Sequence, residues 1–73
     1  MTRPPALLIV GAGPLQLHAI QEARRCGLLP LVTDRNAEAP GIANAERWYP
    51  VDTMDVPGHA AVVSTIAQDY SLR

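Results

Sequence analysis

The sequence predicts an α/β domain in which three parallel strands alternate with helices, as in half of a doubly wound fold. Residues 6–10 form an uninterrupted apolar run that ends at Gly11, which is typical of a strand covered by helices on both faces. Two later strand-like runs, residues 29–33 and 47–51, are separated from it by a helical pattern and by a polar segment. Because crossover connections are right-handed in about 98% of cases, we expect the strand order 3-2-1 with helices on both faces.

The first helix is predicted over residues 14–26. Pro14 suits the first helical position, where its missing N–H is not needed. Gly27 suits the left-handed residue that ends many helices. The single cysteine, Cys26, is expected to be a small buried hydrophobic residue. The predicted apolar stripe consists of Leu17, Ile20, Ala23 and Gly27.

The second half of the chain predicts a loop with one short helical turn, over residues 41–45, and then a longer helix. That helix is predicted to begin at Val56 or Pro57 and to end near Asp69, with Asp52 or Asp55 as its cap. Its apolar face is expected to comprise Ala60, Ala61, Val63, Ile66 and Ala67.

The two ends of the sequence indicate that the predicted sheet is incomplete. Residues 1–5 contain two prolines and are expected to precede regular structure, whereas residues 71–73 stand where a fourth strand would begin. The first strand would then lack one neighbour, and an unpaired apolar edge favours pairing with another chain. We therefore expect residues 1–73 to be one truncated, Rossmann-like domain, either a piece of a longer chain or a subunit completed by association.

Composition excludes several functional classes. The net charge is −1, and a nucleic-acid partner would require a basic surface. All six basic residues are arginines, so the lysine of P-loop and Schiff-base sites is absent. No segment approaches the roughly 20 apolar residues that cross a membrane. One cysteine cannot form an internal disulfide, and these features together predict a cytoplasmic protein.

The turn after the first strand, Gly11-Ala12-Gly13, is the candidate binding feature. A glycine turn between a strand and a helix presents backbone N–H groups to an anionic ligand. A complete dinucleotide fingerprint would have Gly or Ala where this chain has Gln16, which weakens that interpretation. Asp34 follows at about the 20-residue distance of a ribose-binding carboxylate, which supports it. A turn that needs small residues for packing alone stays open as a third interpretation.

A second motif follows the second strand and extends the pattern. Its matching residues are Asp34, Asn36, Ala39, Pro40, Ala45 and Glu46. Together with the opening Gly-Ala-Gly-Pro-Leu, it resembles the amino-terminal (pre-ATP-grasp) domain of ATP-grasp enzymes. The resemblance covers residues 6–70 and is greatest to purine-biosynthetic and carbamoyl-phosphate-synthase-like members.

The resemblance implies an ATP-dependent carboxylate–amine or carboxylate–thiol ligase that proceeds through an acyl phosphate. In that family ATP and magnesium are held mainly by later domains, so this chain alone is expected to be inactive and is assigned no cofactor, catalytic residue or metal ligand of its own. The substrate-binding residues expected here are Gly11, Gly13, Pro14, Leu15, Gln16, Asp34 and Asn36.

The expected partners are a small-molecule carboxylate or amine, the remainder of an ATP-grasp enzyme and a second copy of the chain. Two alternatives remain: a dinucleotide-binding (NAD or FAD) half-domain of an oxidoreductase, and a non-catalytic association domain. His18 lies one turn into the first helix, near the glycine turn, and is expected to be a polar surface or packing residue rather than a ligand contact. His59 is expected to be solvated rather than catalytic.

Overall fold

The computed structural model describes residues 2–73 and contains a four-stranded parallel sheet; Met1, part of the predicted leader, lies outside the described residues. The order is β3-β2-β1-β4 with every neighbouring pair parallel, which confirms the predicted order 3-2-1 and adds a strand to it. The strands are β1 (Pro5–Val10), β2 (Leu29–Thr33), β3 (Arg47–Tyr49) and β4 (Ser71–Leu72).

The helices lie on opposite faces of this sheet, as predicted. They are α1 (Leu17–Arg25) and α2 (Val56–Asp69), with short 3-10 helices at Pro14–Gln16 and Pro40–Asn44. On the α1 face Ile20 packs with Ile9 and Val32 of the strands. On the α2 face Val62 and Ile66 pack with Ala6 and Leu31. Side chains of successive strand residues point to opposite faces, so the apolar run of β2 supplies both cores.

The fourth strand corrects the prediction that β1 lacks a neighbour. Ser71 and Leu72 pair with Pro5 and Ala6, and the Ser71 N–H donates to the Pro4 carbonyl oxygen at 2.9 Å. The sequence places the start of a fourth strand at residues 71–73, and two of these residues are enough to pair with β1. Residues 7–10 of β1 have no strand partner on that side within the described chain.

At the end of α1 the predicted stop at Gly27 is confirmed, whereas the predicted burial of Cys26 is wrong. The helix ends at Arg25, and Gly27 has a φ of +78°, the expected left-handed stop. Cys26 is exposed, because the chain has already left the helix and turned away from the core. The first three residues of the predicted helix form a 3-10 turn, and the α-helix itself begins at Leu17.

The apolar face of α2 is predicted wrongly in most of its members. Val62 and Ile66 are buried, whereas Val63 and the three alanines of the predicted face are exposed. Nearly every turn of this helix is apolar, so the sequence offers little contrast from which to select the packed stripe. The third strand is also shorter than predicted, because the Val51 N–H turns back to the Tyr49 carbonyl oxygen at 2.8 Å. No helix within residues 2–73 is long and apolar enough to cross a membrane.

Candidate functional site

The glycine turn lies where the carboxyl ends of three parallel strands meet. The Gly11 N–H donates to the Thr33 carbonyl oxygen at 2.7 Å, and the Asp34 N–H donates to the Tyr49 carbonyl oxygen at 3.2 Å. Gly11 has a φ of +95°, a conformation that residues with a Cβ rarely adopt. This carboxyl edge is where ligands bind in open α/β sheets.

Asp34 holds the turn with its own carboxylate. Oδ2 accepts the Ala12 N–H at 3.0 Å, and Oδ1 accepts the Asn36 N–H at 2.9 Å. These bonds, the Asn36 bond first and the Ala12 bond second, lower the pKa of Asp34 below its ordinary value, because they stabilise the ionised form. The Asp34 backbone oxygen also accepts the Trp48 indole N–H at 2.7 Å. Asp34 therefore joins the ends of β1, β2 and β3.

The Gln16 side chain folds back over both glycines of the turn. A Cβ built on Gly11 would lie 3.5 Å from Gln16 Cδ and 3.6 Å from Nε2, and one built on Gly13 would lie 3.2 Å from Gln16 Oε1. The Thr53 methyl group is 3.7 Å from the same Gly11 position. The Gln16 carboxamide thus lies beside the space left by both missing side chains, and the Thr53 methyl group lies beside the space at Gly11.

Gly41 supports the turn from its buried side. Its N–H donates to the Ala12 carbonyl oxygen at 2.7 Å. A Cβ at this position would lie 2.7 Å from that oxygen and 2.8 Å from Ile20 Cδ1, closer than atoms of a packed core approach. Ala12 is thus bound through its N–H by Asp34 and through its oxygen by Gly41.

The predicted site residues are brought together in part. Gly11, Gly13 and Gln16 form one surface, and Asp34 reaches it through Ala12. Pro14 and Leu15 are exposed, and Leu15 retains 91% of its accessible surface. Asn36 is exposed as well, and its Oδ1 accepts the Glu38 N–H at 3.0 Å within its own loop. The Gly13 and Leu15 N–H groups donate to no residue that the structure describes.

Three contributors to this edge were missed by the sequence predictions: Thr53, Gly41, and Arg35 paired with Asp52. The Arg35 guanidinium donates to Asp52 Oδ2 at 3.1 Å, across the loops that follow β2 and β3. Asp52 was predicted as a loop aspartate and a possible cap of the last helix, and Gly41 as the start of the short helical turn. Each acts through a contact distant in sequence, for which a single sequence carries no signal.

His59 differs from the solvated residue that the sequence predicts. Its Nε2 lies 2.8 Å from Oγ1 of the buried Thr33, and its Nδ1 lies 2.8 Å from the Asp55 carbonyl oxygen. A carbonyl oxygen only accepts, so Nδ1 carries the proton and Nε2 can accept from Thr33. His59 therefore attaches α2 to the end of β2. His18 is exposed, which agrees with the surface alternative and not with a packing role. Asp55 is confirmed as the cap of α2, accepting the Gly58 N–H at 2.9 Å.

The carboxyl edge offers a ligand hydrogen-bonding groups and a shaped surface. The carboxamide of Gln16 and the two N–H groups of Gly13 and Leu15 can orient a small polar ligand. Within residues 2–73 no three His, Cys, Asp or Glu side chains form a group that could hold a metal ion. The arrangement is suited to binding.

Comparisons with known proteins agree with the resemblance at the level of a superfamily. No protein-family profile matches the chain. It is 31% identical over 64 residues to a formate-dependent phosphoribosylglycinamide formyltransferase of Maridesulfovibrio salexigens, covering 88% of this chain and 16% of the relative. A protein of the same name from Proteus mirabilis is 29% identical over 69 residues, covering 94% of this chain and 17% of the relative.

The relatives are ATP-grasp enzymes. The chain is similar to them. A third relative of the same name, from Solidesulfovibrio magneticus, is 30% identical over 64 residues and again shares 16% of its length with this chain. The similarity thus spans almost all of this chain but about a sixth of each relative, and it supports the ATP-grasp resemblance loosely.

Proposed function

We propose that this chain is the substrate-binding, Rossmann-like domain of an ATP-grasp ligase, with the glycine turn and Gln16 forming one side of the substrate site. The observation that carries the proposal is a similarity covering 88–94% of the chain to enzymes named for formate and phosphoribosylglycinamide. A reaction with those names joins a small carboxylate to an amine acceptor. The substrate proposed here is of that class, a small-molecule carboxylate or amine.

ATP and magnesium belong to the rest of such an enzyme in this proposal. The chain contains no lysine, and its described residues supply no group of metal-binding side chains, so nothing here fits a triphosphate with its metal. The chain spans about a sixth of the relatives it matches. Residues 1–73 are therefore proposed to orient one substrate, while phosphoryl transfer takes place on residues outside this domain.

The dinucleotide alternative has less support at the turn itself. Each oxygen of Asp34 already accepts one N–H group of the protein, so half of the hydrogen-bonding capacity of this carboxylate is used to hold the turn and its loop. The third small residue of the dinucleotide fingerprint is replaced by Gln16, whose side chain lies on the two glycines. The spacing between the glycine turn and Asp34 favoured NAD. In the structure this spacing places the Asp34 carboxylate against the Ala12 N–H.

The test is a titration of the ¹⁵N-labelled 73-residue chain with phosphoribosylglycinamide, formate, ATP and NAD, followed by amide chemical shifts. We expect phosphoribosylglycinamide to shift the Gly13 and Leu15 amides and ATP and NAD to leave them unchanged. A ligand at ten times its Kd stabilises the fold by about 1.4 kcal/mol, which raises the Tm of a domain of this size by roughly 5–10 °C. Shifts with NAD alone support the oxidoreductase half-domain and refute the proposal. An unchanged spectrum with all four also refutes it, and leaves the association domain.

A further inference from the structure

We infer that one exposed flank of α2 is an interaction surface for a second copy of this chain, and that the two α2 helices pack antiparallel about a two-fold axis. The flank consists of Val56, Ala60, Val63 and Ala67. All four residues are exposed, and the two valines retain 76% and 39% of their accessible surface. The inference is independent of the proposed function, because it uses none of the residues assigned to the substrate site.

The first argument is the apolar pattern of this flank. Its four residues are spaced by four, three and four positions, so they lie on one side of the helix, as the a and d positions of a helix–helix seam do. Between Val56 and Gln68 the sequence contains no Asp, Glu, Lys or Arg. The solvent-facing side of a surface helix ordinarily carries charged residues. Their absence from three turns of α2 indicates that this side is covered by another protein surface.

The second argument is the direction in which the flank faces. α2 packs on the sheet through Val62 and Ile66. On one side of that contact lies Gly58, where a Cβ would be 2.9 Å from Cγ1 of Val51, the residue two positions after β3. The exposed flank lies on the other side of the contact, because its residues are roughly opposite Gly58 around the helix axis. It therefore faces away from β3 and towards the side of β1 and β4.

That side of the sheet is the open one. Residues 7–10 of β1 have no strand partner there within the described chain, and Val10 at the end of β1 retains 48% of its accessible surface. An apolar helix flank and an unpaired strand edge thus face the same direction. Both features favour association with another chain, and one partner approaching from this side would cover both.

The third argument identifies the partner, because the order of side chains along the flank is self-complementary. In an antiparallel pair with its two-fold axis between residues 61 and 62, Val56 lies opposite Ala67 of the partner subunit, and Ala60 lies opposite Val63 of the partner subunit. Every valine then meets an alanine, so that large side chains enter the gaps above small ones. A parallel pair would instead place valine on valine and alanine on alanine. The flank carries no charge, so no like-charge repulsion opposes the contact.

The size of the contact predicts its strength. α2 has 14 residues and is therefore about 21 Å long. Two such helices bury less than about 1,200 Å² in total, which is the range of weak and reversible complexes. We expect a dimer with a Kd on the order of 100 µM.

The first experiment is sedimentation equilibrium of the 73-residue chain at loading concentrations from about 20 µM to 1 mM, a range chosen to bracket a weak complex. The average mass should rise towards that of two chains. Val63→Glu places a charge at the centre of the seam and should raise the Kd at least tenfold. Ala60→Glu repeats the test at a position whose side chain is not needed for the core. Thr65→Glu introduces the same charge on the opposite, exposed side of α2 and should leave the Kd within twofold of wild type.

The second experiment tests the antiparallel arrangement. In a Cys26→Ser background, which removes the single cysteine, a nitroxide is attached to Gln68→Cys beside the seam. This unlabelled-nitrogen chain is mixed with the ¹⁵N-labelled Cys26→Ser chain. We expect the nitroxide to broaden the amides of residues 55–58 of the ¹⁵N chain more than those of residues 66–69.

Three results overturn the inference. One is a wild-type chain that remains monomeric at 1 mM. Another is a dimer that Val63→Glu and Ala60→Glu weaken no more than Thr65→Glu does, which would place the interface elsewhere, for example at the edge of β1 alone. The third is broadening centred on residues 66–69, which would show a parallel pair. None of these readouts involves a substrate, so failure of the proposed function and failure of this inference are distinguished.

Discussion

Two of the loops that leave the carboxyl edge of the sheet are held by different kinds of contact. The loop after β1 carries the glycine turn, and Asp34 and Gly41 fix it at Ala12 from elsewhere in the chain. The loop after β3 is held mainly by its own residues: Asp52 accepts the Met54 N–H, and Asp55 accepts the Gly58 N–H. Its one long-range polar link within residues 2–73, the Arg35–Asp52 pair, is exposed at the arginine, which retains 79% of its side-chain surface.

The difference implies that the first loop is preorganised and the second is adaptable. A turn bound through both the N–H and the carbonyl oxygen of one buried residue cannot shift without breaking tertiary contacts. A loop held by local turns can move while its own bonds persist. A ligand between them would meet a rigid wall formed by the glycine turn and a compliant one formed by residues 52–55.

The largest effect expected is from Gly41→Ala. The new Cβ would collide with the Ala12 carbonyl oxygen and with Ile20, and the backbone partner cannot rotate away. We expect a loss of about 3 kcal/mol in the free energy of unfolding, measured by urea denaturation. Ala43→Ser, exposed in the same short helix, should change the stability by less than about 0.5 kcal/mol. Equal stabilities of the two variants would mean that the close contact between Gly41 and Ala12 does not hold the first loop in place.

Asp34→Asn tests the same loop from its polar side. An amide can accept one of the two N–H groups but not both, so we expect a loss of about 2 kcal/mol at pH 7. Because the folded-state pKa of Asp34 is lowered, its stabilisation is complete above the unfolded value of about 3.9. It disappears as the pH falls through the folded-state pKa.

The measurement is urea denaturation of wild type and Asp34→Asn across pH 3 to 7. The difference between them should be constant from pH 7 to about 5 and shrink below pH 4. Glu38→Gln, a matched change at an exposed carboxylate of the neighbouring loop, should be neutral throughout. A difference that grows on acidification would contradict the bonds assigned to Asp34.

The second loop should respond less. Asp55→Ala removes the side-chain cap of α2, and we expect a loss of about 1 kcal/mol. Asp69→Ala removes a carboxylate from the opposite end of the same helix, where negative charge is unfavourable, and should be neutral or slightly stabilising. Thermal unfolding of the two variants separates a capping effect from a general effect of losing an acidic residue on α2.

The smallest effect is expected from Arg35→Ala. An exposed ion pair contributes about 0.2–1 kcal/mol, and this arginine is mostly exposed. Stability should fall by no more than about 0.5 kcal/mol, and 0.5 M salt should remove the difference from wild type. A loss as large as that of Asp34→Asn would erase the contrast between the loops.

The same contrast explains which features could be predicted. The three main strands, their order and an aspartate cap before α2 follow from local pattern and from the handedness of crossovers, and the structure has all of them, with the cap at Asp55. The use of Asp34 could not be foreseen, because its carboxylate bonds to a residue 22 positions away. Gln16 was recognised as a departure from a motif, but only its side-chain conformation reveals what it covers. The packed stripe of α2 was missed because its alternatives are equally apolar.

The hydrogen bond between Trp48 and Asp34 makes the carboxyl edge observable by tryptophan fluorescence. The chain has a single tryptophan, and its indole N–H is bound to the Asp34 backbone oxygen, the residue that also holds Ala12. Trp48 emission and the indole proton resonance therefore report on the same junction that fixes the glycine turn. The protein needs no attached dye for movements of its candidate site to be followed by intrinsic fluorescence, in real time and at micromolar concentration.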